Sequence, residues 1–159
     1  MADSLTMSSV PIATVEILND LLDAELNSVF RFMDEGSPYL SGATAAVRAP
    51  LAEMVEASTR RAHELYDLIE SLGGSPVPRG LRSEDQYLAF LSLKFLLPKL
   101  VNEKTLAIKR LESAIAGERA APATPPQVLE LLAAHLAEMQ DELKALEQAT
   151  KHVSPVSAH

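Results

Sequence analysis

The sequence contains no cysteine and no tryptophan, and only 4% of its 159 residues are aromatic. Without cysteine there are no disulfides, thiolate metal ligands or iron–sulfur clusters. No apolar run approaches the roughly 18 uninterrupted residues that a membrane span needs. No alternating β-branched run and no Asn-Gly turn occurs, so no strand is predicted. A Gly-rich phosphate loop is missing as well, because Gly73-Gly74 closes a helical pattern. No Ser-His-Asp set stands out. Positive charge is in short supply: 14 Lys and Arg stand against 22 Asp and Glu, a net charge of −8. That balance argues against nucleic acid and against an anionic membrane as partners. The opening residues 1–9 lack the basic flank and apolar core of an export signal, so a cytoplasmic location is the default expectation.

What is present is Leu, Ala and helical periodicity. The length suits one domain with a sizeable core, expected over residues 1–150, with residues 151–159 as a disordered tail. The first helix is expected over residues 11–34, capped by Ser8 or Ser9 and ended by Gly36, Ser37 and Pro38. The second carries Leu51, Val55, Ser58, Ala62, Leu65, Ile69 and Leu72 at steps of three and four. Pro50 either starts it or kinks a longer helix beginning near Ser41. Gly73-Gly74, followed by Pro76 and Pro78, ends it.

The third helix begins at Ser83, with Gln86 as its capping-box partner, and runs past Pro98 through Leu97, Val101, Ile108, Leu111 and Ile115 to Gly117. The fourth starts at Thr124-Pro125, with Gln127 as its capping glutamine. Its stripe reads Leu129, Leu132, Leu136, Met139, Leu143 and Leu146. Four amphipathic helices predict an all-α, antiparallel four-helix bundle. It consists of two hairpins joined by a longer, Pro- and Gly-rich connection that crosses over along the bundle.

One residue breaks the first helix's stripe. Val15, Leu18, Leu22, Val29 and Phe32 recur at helical spacing, and Glu25 fills the slot between Leu22 and Val29. A carboxylate there points into the core. Its burial is costly unless a metal, a cation or a proton stands opposite.

The segment Leu18-Asn19-Asp20-Leu21-Leu22-Asp23-Ala24-Glu25-Leu26 resembles the first helix of ferritin-like proteins, bacterioferritins especially. Arg61-Ala62-His63-Glu64-Leu65, running on to Leu72-Gly73-Gly74-Ser75-Pro76, resembles the end of that family's second helix. The resemblance implies the ferritin-like bundle. It also implies a di-iron centre with one Glu from each of two helices and Glu-x-x-His from each of the other two, in which Glu25 would be a ligand.

Two registers place the remaining ligands. The first follows residue type: Glu25, Arg60-x-x-His63, Glu103 and Glu138-x-x-Asp141. The second follows the flanking pattern and puts the slots on Ser58, Arg61, Lys104, Leu136 and Met139. At about 100° per residue, Arg60 lies roughly 160° from Ala62, Glu103 roughly 200° from Val101 and Glu138 as far from Leu136. The first register thus aims at solvent, and the second is preferred. It predicts a core polar cluster of Glu25, Ser58, Arg61 and Lys104, beside an apolar half formed by Leu136 and Met139. Cations then stand where iron ligands would be. Glu112, Glu130 and Glu142 read as solvated faces. His135 reads as a hydrogen-bonded boundary residue.

The expectation is therefore a degenerate ferritin-like protein, with no cofactor, that acts through self-assembly or partner binding. Phe90, Leu91, Leu93, Phe95, Leu96 and Leu97 make the third helix apolar nearly all round, which points to a homo-oligomer. The alternative is an iron-binding protein of oxidation or storage type, its ligands being Glu25, His63, Glu103 and Glu138. Haem is not expected, because Arg61 follows Arg60 where bacterioferritins carry a haem-ligating methionine. A third reading is small-molecule binding in an apolar pocket near Leu136 and Met139.

Overall fold

The computed structural model describes residues 11–28, 45–77, 93–121 and 123–153. They form four helices and no strand: α1 (Ile12–Leu26), α2 (Ala45–Ser71), α3 (Leu93–Ala120) and α4 (Pro126–Val153). Among the described residues, no helix is long and apolar enough to cross a membrane.

Contacts fix the helix directions. Going up α1, the partners on α2 run backwards: Gly74, just past α2, approaches Val15, and Ser58 bonds Glu25. Between α2 and α4, Arg60 meets Glu138 while Glu64 meets His135. Ile115 and Val128 share one apolar cluster, Lys104 bonds Glu142, and Leu97 and Leu146 share a second cluster. Each neighbouring pair is thus antiparallel. α2 ends beside the start of α1, whereas the start of α3 packs with Leu51 at the other end. α2 thus ends and α3 begins at opposite ends of the bundle, which is the placement the expected crossover requires.

Local chemistry explains where the helices stop. α1 ends at Leu26, short of the expected residue 34. Asn27 leaves the helical region at φ −100° and ψ 12°. Its amide Nδ2 donates to the Asp23 carbonyl at 3.0 Å and to Asp23 Oδ1 at 3.1 Å, an asparagine side chain competing with the helix ladder. Ser8, Ser9 and residues 29–34 lie outside the described residues. α2 runs through Pro50 from Ala45, which matches the longer of the two expected helices. Its end is a Schellman motif: Gly73 takes φ +82°, Gly74 N donates to Ile69 O at 3.0 Å, and Gly73 N donates to Glu70 O at 3.0 Å. Gly74 also has to be small, because a Cβ there would lie 2.9 Å from Val15 Cγ1. The chain that follows is held to α1 by Asn19, whose Nδ2 donates to Ser75 O at 3.2 Å and whose Oδ1 accepts from Val77 N at 2.8 Å.

Two expected boundaries move. Gly117 does not end α3, which continues to Ala120. It is an exposed glycine without positive φ, so it costs helix propensity but breaks nothing. The Ser83–Gln86 capping box lies outside the described residues. α4 starts at Pro126, a position where a missing N–H is no loss. Thr124 does not cap it: its buried Oγ1 has no hydrogen-bond partner among the described residues. α4 reaches Val153, into the segment expected to be a tail, and residues 154–159 lie outside the description.

The core is split. At one end Leu18, Leu22, Leu65, Ile69, Leu111 and Leu132 lead a large apolar cluster. At the other, Leu51, Val55, Leu96, Leu97, Leu100 and Leu146 form a second. On α2 the two are separated by Ser58 and Arg61, on α3 by Lys104 and on α4 by Glu142, each about one turn from either cluster.

Candidate functional site

That intervening layer is polar, buried and cross-linked over all four helices. Arg61 is at its centre with 0% exposure. Its Nη1 donates to Glu138 Oε1 at 2.6 Å and to Glu142 Oε2 at 3.0 Å. Nη2 donates to Glu142 Oε1 at 3.1 Å and, at a longer 3.4 Å, to Glu25 Oε1. Glu142 is thus gripped by both ends of the guanidinium fork, the strongest arrangement open to this pair. Lys104 Nζ adds a 2.6 Å bond to Glu142 Oε1, and Ser58 Oγ donates to Glu25 Oε1 at 2.8 Å. The inner formal charges balance, Arg61 and Lys104 against Glu25 and Glu142. Arg61 Nε is buried without a hydrogen-bond partner among the described residues.

An outer, more exposed tier continues the network. Arg60 bridges Glu64, at 2.8 Å, and Glu138. His135 Nε2 shares a 2.9 Å hydrogen bond with Glu64 Oε1. Burial works against the Arg61 guanidinium, but Glu25, Glu142 and Glu138 outweigh it and hold Arg61 above the ordinary arginine range. Burial pushes the Lys104 ammonium down despite Glu142, and Arg61 pushes the same way. The His135 imidazole is likewise lowered by burial, against the pull of Glu64. Burial alone would raise the Glu138 carboxyl, yet hydrogen bonds from Arg60 and Arg61 keep it below the usual range.

A slip of one residue on any helix would bury one of these charges without its partner. The layer therefore fixes helix register. Its net stabilisation is small by comparison, because desolvation of buried ions offsets most of the Coulomb attraction.

No protein-family model and no curated protein matches the sequence. Solved structures do match in fold. A humanized archaeal ferritin superposes with a TM-score of 0.77 at 15% identity, over 93% of this chain and 88% of that one. An open-pore ferritin from Archaeoglobus fulgidus superposes with a TM-score of 0.74 at 15% identity, over 94% and 88%. The fold is ferritin-like. A dodecameric thioferritin, the bacterioferritin-related protein of Bacteroides fragilis, matches over 99% of this chain and 98% of its own, with a TM-score of 0.73 at 18% identity.

Within this ferritin-like bundle the structure brings Glu25, Ser58, Arg61 and Lys104 into one layer. Met139 is buried in the adjoining apolar cluster and lines the same cavity as Glu25 and Lys104. Leu136 is not: it is half-buried, one residue away from the inward positions of α4. The α4 stripe is rotated from the expected one, running Val128, Leu132, His135, Met139, Glu142, Leu146 and Ala149. Leu129, Leu136 and Leu143 sit at its flank. Glu142, expected on a solvated face, is 8% exposed and is the main acceptor of the layer. Its signal was the strict heptad Val128, His135, Glu142 and Ala149, which alternates with Leu132, Met139 and Leu146.

Of the alternative metal ligands, His63 and Glu103 are exposed, while Glu25 and Glu138 are bonded to Arg61. Among the described residues no group of three or more His, Cys, Asp or Glu side chains could hold a metal ion. Of the apolar side chains on the third helix, Leu96 and Leu97 are buried in the bundle, and residues 90–92 lie outside the described residues.

Proposed function

We propose that this chain is a ferritin-like protein whose di-iron site has given way to an ion-pair layer, and that it acts through self-assembly or partner binding. The observation that carries this reading is the Arg61 guanidinium, fully buried and bonded to Glu25, Glu138 and Glu142. A di-iron centre needs its carboxylates free to bridge two hard cations. Here Glu138 and Glu142 are held by Arg61 and Lys104, and Glu25 shares one oxygen with Arg61 and Ser58, so the set is not open to bridge two metal ions. Ser58 and Arg61 occupy the Glu-x-x-His slot of the second helix, and Lys104 the glutamate slot of the third. The dodecameric state of the Bacteroides fragilis neighbour favours a homo-oligomer here.

The test is iron loading of the purified protein, with bound metal measured by elemental analysis and oxygen uptake followed alongside. Sub-stoichiometric iron, no oxygen uptake and a mass by light scattering several times that of the chain are expected. Tight stoichiometric iron with oxygen consumption, or a strict monomer that captures no partner, would overturn the reading.

A further inference from the structure

Beside the ion-pair layer, α1 and α3 part around a cavity of about 550 Å³. That is the size of a small-molecule site rather than a packing defect. Leu21, Leu65, Leu111 and Met139 give it apolar walls, and Lys104 and His135 contribute polar ends from α3 and α4. Its rim is exposed at Asp20, Glu103 and Arg110, so the cavity opens to solvent.

Glu25 reaches this cavity with work to spare. The residue is 8% exposed, and both of its hydrogen bonds, from Ser58 and Arg61, go to Oε1. Among the described residues Oε2 accepts no hydrogen bond, and it is not among the buried atoms left unsatisfied. Glu25 lines the cavity, and a carboxylate with both of its bonds on one oxygen selects a donor for the other, a charged donor above a neutral one. The surrounding field has the same preference. Among the described residues, Asp20, Asp23, Glu25 and Glu103 line the cavity together with Lys104 and Arg110, in a chain of net charge −8. Lys104 is already committed to Glu142 at 2.6 Å, so it offers little to an anionic ligand.

We infer that this cavity binds a primary amine on an apolar body, with the ammonium on Glu25 Oε2 and the body against Leu21, Leu65, Leu111 and Met139. The inference rests on the proposed loss of the metal, since an iron on Glu25 would take the same oxygen.

Titration calorimetry with phenethylamine, phenethyl alcohol and phenylacetate tests it on the full chain. The three share a body and differ in charge. Saturable binding of the amine, with the alcohol and the acid weaker by about tenfold or more, is expected from the loss of a charge-assisted bond. Glu25→Gln should weaken the amine by a similar factor. Ala107→Phe, which adds bulk to the cavity from α3 and replaces no member of the ion pairs, should abolish binding while the helical signal is unchanged. The inference is overturned if the three probes bind alike, if the amine does not bind, or if Ala107→Phe leaves binding intact. Ferrous iron added to the amine complex separates this inference from the reading beneath it. Displacement of the amine by iron would overturn the loss of the metal site, whereas absence of both amine and iron binding would overturn only the amine site.

Discussion

Replacing Arg61 by Met tests the ion-pair layer most directly. The two side chains are of similar length, so the change removes charge and hydrogen bonds with little loss of volume. Arg61 is fully buried and supplies four hydrogen bonds to three carboxylates. After its removal Glu142 keeps Lys104, Glu138 keeps Arg60, and Glu25 keeps only the Ser58 hydroxyl. Glu25 would then be a buried carboxylate with no cation bonded to it. Breaking a buried pair in this way costs about 3–5 kcal/mol, much more than the pair contributes net. For a chain of this length each kcal/mol moves Tm by about 2–4 °C, so a fall of about 6–20 °C is expected. Urea denaturation followed by helical circular dichroism reads the change. The double variant Arg61→Met with Glu25→Gln removes one charge of each sign and leaves the Glu142–Lys104 pair standing. It should recover most of the loss, giving a clear coupling energy between the two sites. A single-variant cost below about 1 kcal/mol, the value of an exposed pair, would refute the burial argument. So would strictly additive costs.

Three further outcomes follow from the same geometry. Burial keeps the His135 imidazole below its ordinary value of about 6.5, so the unfolded chain takes up more proton as pH falls through that value. Stability should therefore decline on acidification below about pH 6.5, and His135→Gln should flatten that part of a Tm-against-pH curve. Gly74→Ala would place a methyl 2.9 Å from Val15 Cγ1 and 3.2 Å from Ile69 Cγ2, and a loss of about 1–3 kcal/mol is expected by urea denaturation. Glu118 is 3% exposed, with a buried Oε1 that has no hydrogen-bond partner among the described residues, on the α3 stripe that carries Leu111 and Ile115. Glu118→Leu should stabilise the fold by about 1–3 kcal/mol, and a lower Tm would show that this carboxylate has a use.

The number of helices, their antiparallel pairing and the stop at Gly73-Gly74 were all legible in the sequence, because each follows from local periodicity or from a backbone position that favours glycine. Glu25 was legible for the same reason: one carboxylate interrupted an otherwise apolar stripe. Glu142 was not. It lies among Glu138, Asp141 and Lys144 on a helix whose leucines cover a wide arc, so several faces of α4 could have been the buried one. Neighbouring helices made the choice. Arg61 and Lys104, inward on α2 and α3, need an acceptor, and the turn of α4 that meets them offers Glu142. Hence α4 buries Glu142 and leaves Leu143 at the flank, against simple hydrophobicity. The end of α1 was missed for a different reason: it carries a local Asn27–Asp23 contact that hydrophobic periodicity does not register. Taken alone, the sequence determined that Glu25 interrupts an apolar stripe and needs a metal, a cation or a proton opposite it, and it left two registers for the residues that stand there. Only the tertiary structure decided how those charges are shared, because ion pairs between helices depend on rotation and register, which a single helix does not set for itself.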